Sequence, residues 1–417
     1  MNVRRSAAAL AAVAVIGTAA PAVAADSSPS PSPSAVLPSG LYGHTDPKYD
    51  GVWRQSLALL AQHTAGVRPA AKAVDWLAGQ QCANGAFAAF RADPARACDA
   101  KVMVDTNSTA AAVQALTALG GHGSATAKAV TWLKSVQNKD GGWGYTPGGP
   151  SDTNSTSVVV GALAATGLKP ADVRKDGKPG GKSPYDALLK LALPCTGGDA
   201  GAGAGAFAYQ PDKKGKLAAN ADATAAGVTA ALGQGLAAKP APKAGAAPHC
   251  TDSGKATPER AAANGASYLA ESVAKNGYLT SVLPGSTDQP DYGNTADAVV
   301  ALAAQGGAGQ AQKPLRWLEK HSEAWAKQSG PAAYAQLIFA ANATGTDPRD
   351  FGGTDLVAKL SATGPAPQSA TSGSAKAKDS AKDNSSGFHG WWFVAACLVA
   401  GIGIGFLFSG RKNRRQP

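Results

Sequence analysis

One phrase recurs along this chain and fixes the kind of fold it can adopt. Asp105-Thr106-Asn107-Ser108-Thr109 opens an alanine- and leucine-rich run that closes at Gly120, and Asp152-Thr153-Asn154-Ser155-Thr156 opens another that closes at Gly167. Weaker copies run from Asn220 to Gly235 and from Asp291 to Gly306. In each copy a Thr (109, 156, 224 or 295) stands eleven residues before the Gly. A polar cluster, an Ala/Leu run and a terminal Gly spell an N-capped, Gly-terminated helix. Repetition at this period means an array of identical supersecondary units.

A second helical pattern precedes each capped helix. Residues 71–81 carry Val74, Trp76 and Leu77, and 126–137 carry Val130, Trp132 and Leu133. Residues 185–193, 261–273 and 313–324 fill the same slot. The aromatic-Leu pair at one position reads first as core. A Gly-rich loop bearing an aromatic joins the two helices: Phe87, Trp143 with Tyr145, Phe207 with Tyr209, and Tyr278. The unit is therefore helix, Gly-aromatic loop, capped helix, Gly turn. A fifth copy ends at Gly345, with Tyr334 in place of the Thr. Residues 53–62 resemble a lone second helix and 354–360 a lone first helix. Joined, these two orphans make a sixth pair, and closure would cover the apolar faces that an open array must cap separately. The expected fold is all-α, a closed barrel of six helical hairpins.

The two ends carry different signals. Residues 1–24 read as a signal peptide, with Arg4 and Arg5, an apolar stretch, and Ala22-Val23-Ala24 for cleavage. Residues 25–40 form a Pro/Ser-rich arm, 41–361 the toroid domain, and 362–388 a Ser/Ala/Gly/Lys-rich flexible tether. Residues 389–409 are expected to be one C-terminal transmembrane helix, because Trp391 to Phe408 carry no charge. The basic tail at 410–417 places the C-terminus in the cytoplasm. This predicts a single-pass cell-membrane protein with its N-terminus and its bulk outside.

The formal charge of +11 falls to +5 once the two signal arginines and four basic tail residues are set aside. No basic run interleaved with aromatics remains, so no nucleic-acid partner is expected. The tail suits anionic inner-leaflet lipid. Cys397 lies in the expected span, leaving Cys82, Cys98, Cys195 and Cys250 outside. Cys82 and Cys98 share one inter-helix loop, which favours Cys82–Cys98 and Cys195–Cys250 among the three connectivities. No Cys-x-x-Cys occurs, the six His are scattered, and no metal site is expected.

Trp132-Leu133-Lys134-Ser135-Val136-Gln137-Asn138-Lys139-Asp140-Gly141-Gly142-Trp143 resembles the Gln-Trp motif of the squalene cyclase and protein prenyltransferase superfamily, and Trp76 to Phe87 is a degenerate copy. The Asp-Thr opening at Asp105 and Asp152 is similar to the helical domain of intrinsic factor and transcobalamin. The resemblance covers roughly residues 50–361 and implies an α6/α6 toroid; that fold hosts enzymes and binders alike.

The resemblance implies that the second helix of each pair is the inner one. The polar clusters would then ring one mouth of the barrel, where four helix N-termini also gather. The candidate ligand-binding residues are Asp105, Asn107, Asp152, Asn154, Asp222 and Asp291, with Phe87, Trp143, Tyr145 and Tyr209 beside them. Capping accounts for an Asp in each copy, but Asn107 and Asn154 exceed what a cap needs. The aromatics fit either rim packing or ligand stacking.

Catalytic signatures of the superfamily are missing: there is no Asp-x-Asp-Asp, no Asp-Asp-x-x-Asp, and no cysteine on an inner helix for a zinc triad. No catalytic residue and no cofactor are assigned. The expectation is a non-catalytic surface receptor for a large polar small molecule, with a corrinoid as the candidate ligand. Cobalamin carriers clamp their ligand with a second domain, so an importer or lid subunit is the implied partner. An envelope protein- or glycan-interaction module is one alternative, and a terpene cyclase or prenyltransferase-type enzyme is another. A deep open cavity would favour a small ligand, and a plugged barrel would favour surface contacts.

Overall fold

The structure, a computed structural model, describes residues 37–369 except 100, 197–202, 243–247, 253–254 and 283–287. The stretches expected to be a signal peptide, a transmembrane helix and a basic tail lie outside the described residues. Among the described residues no helix is long and apolar enough to cross a membrane.

The regular elements of the described chain are almost wholly helices: α1 (Gly51–Thr64), α2 (Ala71–Gly79), α3 (Thr106–Leu119), α4 (Gly123–Ser135), α5 (Thr153–Ala165), α6 (Pro184–Leu191), α7 (Ala221–Ala231), α8 (Pro258–Ala274), α9 (Tyr292–Gln305), α10 (Ala308–His321), α11 (Glu323–Ser329), α12 (Pro331–Thr344) and α13 (Leu356–Ser361). Two antiparallel ribbons of two-residue strands lead into α3 and α9. The pattern expected across 313–324 is broken at Ser322, where α10 ends and the short α11 begins.

Six helices pack in a closed circuit. Helix α1 lies on α3, α3 on α5, α5 on α7, α7 on α9, α9 on α12, and α12 returns to α1. Helices α2, α4, α6, α8, α10 and α13 flank this circuit. The two orphans do pair: α13 packs against both α12 and α1. Backbone and side chains lock that seam. The Gly43 N–H donates to the Thr363 carbonyl at 2.8 Å. The Tyr42 hydroxyl donates to the Pro365 carbonyl at 3.0 Å, and Gln368 Nε2 donates to the Pro69 carbonyl at 2.8 Å. Residues 362–369, expected to begin the tether, are thus part of the closure.

Burial separates the two sets of helices as their sequences require. Helix α5 is buried at every position from Thr153 to Leu163, and α9 at every position from Thr295 to Ala304. A helix without a polar stripe belongs inside. Flanking α10, in contrast, buries only Ala311, Pro314, Leu315 and Leu318. Since no face of α5 or α9 meets solvent along these stretches, side chains fill the middle of the circuit.

The end where the inner helices finish is covered. Helix α7 was expected to run to Gly235, but it stops at Ala231 and turns at Gly233, whose φ is +67°. The following segment crosses the circuit. The Leu236 N–H donates to Gln114 Oε1 of α3 at 3.2 Å, and the Ala241 N–H to the Ala303 carbonyl of α9 at 3.1 Å. Leu236, Ala237 and Ala238 are fully buried. Gly161 is needed for this contact, since a Cβ there would lie only 2.6 Å from the Gly235 Cα.

Candidate functional site

The opposite end, where the inner helices begin, gathers the repeated polar phrase. The Thr of each repeat is the joint that holds it together. Thr109, Thr156, Thr224 and Thr295 accept the main-chain N–H of Phe87, Trp143, Phe207 and Leu279 at 2.9, 3.0, 2.9 and 3.0 Å. Thr109 and Thr224 also donate to the carbonyls of their own cap residues, Asp105 and Asn220, at 2.7 and 2.6 Å. The Gly-aromatic loop is therefore fixed to the helix it introduces.

This arrangement sorts the candidate aromatics. Phe87 and Trp143 are buried in the core, and the Trp143 indole N–H donates to the Leu133 carbonyl at 2.7 Å. They are packing residues and do not reach the mouth. Tyr145 is 39 % exposed and Tyr209 is half-buried at the rim. Each lends its carbonyl to the neighbouring helix: the Thr106 N–H donates to Tyr145 at 2.9 Å and the Thr153 N–H to Tyr209 at 3.1 Å.

Three of the candidate acids are caps. Asp105 Oδ1 accepts the Ser108 N–H at 2.6 Å, and Asp152 Oδ1 accepts the Ser155 N–H at 2.6 Å. Asp291 holds both the N–H and the side-chain amide of Asn294, at 3.0 and 2.8 Å. Burial pushes Asp105 and Asp152 up to about 6, against the cap hydrogen bonds that pull the other way. Burial raises Asp291 as well. The phenols of Tyr145 and Tyr209 are raised by burial and by the carboxylates beside them, Asp105 for the first, Asp152 and Asp222 for the second.

Asp222 is different. Its helix is capped by Asn220, which accepts the Ala223 N–H at 2.8 Å. Asp222 instead occupies the second helical residue, the position of Asn107 in α3 and Asn154 in α5. Asn154 Nδ2 reaches it at 2.7 Å, tying the starts of α5 and α7 together. The fully buried Asn154 keeps its Oδ1 without a donor among the described residues, and so does the nearly buried Asn107. Two buried acceptors without donors, beside helix N-termini and two rim phenols, make a patch that wants hydrogen-bond donors.

Sequence reasoning passed over four further residues at this end. Asp297 and Gln336 occupy one repeat position in adjacent helices α9 and α12, two residues after Thr295 and Tyr334 respectively, and Gln336 Nε2 donates to Asp297 Oδ2 at 3.1 Å. An Asp inside a helix otherwise apolar on all sides was the available signal. Tyr292 and Trp325 stack with centroids 5.5 Å apart and planes 13° from parallel. No sequence pattern marks that pair.

Both expected disulfides form, Cys82–Cys98 and Cys195–Cys250. They fit an oxidising, extracellular environment. Among the described residues no group of three or more His, Cys, Asp or Glu could hold a metal ion.

No protein-family model matches the sequence, and no curated protein matches it. Among solved structures the chain is similar to a protein from Actinoplanes, at 16% identity and a TM-score of 0.47, over 74% of this chain and 94% of that one. It is also similar to ent-copalyl diphosphate synthase from Streptomyces platensis, at 18% identity and 0.45, over 71% of this chain and half of the synthase. A sugar epimerase from a ruminal bacterium matches at 13% identity and 0.41, over 68% and 80% of the two chains. These likenesses are loose, and the circuit of helix contacts stands without them.

Proposed function

We propose that this chain is a non-catalytic binding module, exported and tethered at the cell membrane, whose toroid mouth takes a polar small molecule rich in hydrogen-bond donors. The observation that carries the reading is the pair of buried amide oxygens, Asn107 Oδ1 and Asn154 Oδ1, left without donors where α3, α5 and α7 begin. A ligand hydroxyl or amide N–H would satisfy them once the lip side chains over them move aside. The filled middle of the circuit favours a ligand that rests on the mouth over one engulfed by the ring, as an isoprenoid chain would need to be. Asp105 and Asp152 are committed to their caps, which argues against either as a mobile acid. Corrinoids, with their peripheral amides, stay among the ligands to be tried, and an importer or lid subunit stays a natural partner.

The test is calorimetric titration of the full-length chain with cobalamin, cobinamide and a set of neutral polyhydroxylated ligands. Binding that Asn154→Ala abolishes, with the fold intact by circular dichroism, supports the reading. Binding untouched by changes at 107 and 154 overturns it.

A further inference from the structure

We infer that the ligand is a neutral saccharide, seated in a notch over Gly293 and against Trp325; this rests on the mouth reading above and names its ligand class. Helix α9 departs from α3, α5 and α7 at its second residue, where Gly293 replaces the Asn107, Asn154 and Asp222 of the others. The nearest atoms a Cβ at 293 would meet are the Gln336 amide at 3.5 Å and Trp325 Cζ2 at 3.7 Å, both at ordinary contact distance. The missing side chain therefore leaves a notch bounded by an amide and an indole. Both are held still. Gln336 is fixed by its bond to Asp297, and Trp325 lies on Tyr292, which lies in turn on Trp317 at 4.9 Å. Trp325 and Tyr292 nevertheless remain half-buried, so ring surface is available there.

The neighbouring helix supplies the other kind of contact. At a helix spacing of about 10 Å, α7 presents Asp222, bonded to Asn154. One side of the mouth thus offers aromatic surface and the other offers acceptors. A pyranose matches both at once, with a C–H face to lie on an indole and hydroxyls to donate to amide and carboxylate oxygens. An isoprenoid lacks the donors. A phosphorylated ligand would meet the carboxylates of Asp222 and Asp291 with like charge.

The full-length chain is to be screened against an array of neutral oligosaccharides, and the best binder titrated by tryptophan fluorescence. Gly293→Asn restores the side chain that the other helices carry, at a helical position where Asn is tolerated. It should weaken saccharide binding at least ten-fold with the thermal midpoint unchanged; Trp325→Ala should weaken binding as much and lower the midpoint too, since it removes the stack on Tyr292. Saccharide binding indifferent to both changes overturns the notch. Absence of any saccharide binding at millimolar concentration also overturns it. A corrinoid that binds, is lost in Asn154→Ala and is unaffected by Gly293→Asn would sink the saccharide assignment and leave the mouth reading standing.

Discussion

Asn154 and Asp222 are separated by 68 residues of sequence, yet the amide of one donates to the carboxylate of the other at 2.7 Å. Each stands at the second residue of its helix, so the bond joins equivalent positions of adjacent repeats. It converts a linear repeat into a polar lip around a ring.

That bond makes a charge prediction. Asn154→Asp would set a second carboxylate against Asp222 in a site where residue 154 has no solvent. A loss of about 2–4 kcal/mol in unfolding free energy is expected at pH 7. Adding Asp222→Asn restores a donor–acceptor pair and should recover most of the loss. Urea melts of the four-member cycle measure it, and additive losses would refute the coupling.

Asp105 and Asp152 should make stability fall as pH rises. Both hold their protons more tightly folded than unfolded, so the native state carries more protons between the ordinary 3.8 and about 6. Stability therefore declines through that window and levels off above it, at a cost on the order of 3 kcal/mol per carboxylate. Asn keeps the cap acceptor and removes the charge. Asp105→Asn and Asp152→Asn should thus stabilise at pH 7 and have little effect near pH 4. A pH-independent difference in chemical melts would contradict this.

The Gly141 position of the Gln-Trp motif is a joint between hairpins. Its φ is +94°, and a Cβ there would lie 2.1 Å from the carbonyl oxygen of Ser183, the cap of α6. Gly141→Ala should cost about 3 kcal/mol or more. Gly79, at the end of α2 with nothing near its Cβ position, should accept Ala with a gain of under about 1 kcal/mol. Thermal melts of the two variants give the comparison.

The disulfides should differ in weight. Cys195–Cys250 spans 55 residues and Cys82–Cys98 spans 16. Loop-entropy arguments give about 4 kcal/mol for the longer link and about 3 for the shorter. Paired Cys→Ser variants should show that order in urea midpoints.

The hairpin order, the caps at Asp105, Asp152 and Asp291, and the union of α13 with α1 were legible in the sequence because they depend on local chemistry and a fixed period. Asp222 looked like one more cap, since sequence alone does not show that Asn220 takes that role two residues earlier. Gly235 looked like a helix stop, but the helix turns at Gly233, and Gly235 lies in the crossing segment, against Gly161, where a side chain would block the approach. Packing and ligand stacking stayed open for Phe87 and Trp143, because the threonines that fix their main chain lie a dozen or more residues on, and only the structure shows both rings buried. Contacts between repeats, such as Gln336 with Asp297, leave no mark in the period of either helix.

The central claim is that ligand binds where the inner helices begin. Amide hydrogen exchange of the full-length chain, with and without the ligand found by titration, tests it most directly. Slowed exchange in residues 104–109, 152–157, 220–224 and 291–295 is the predicted result. Slowing confined to the crossing segment at 233–242, at the far end of the ring, would contradict it.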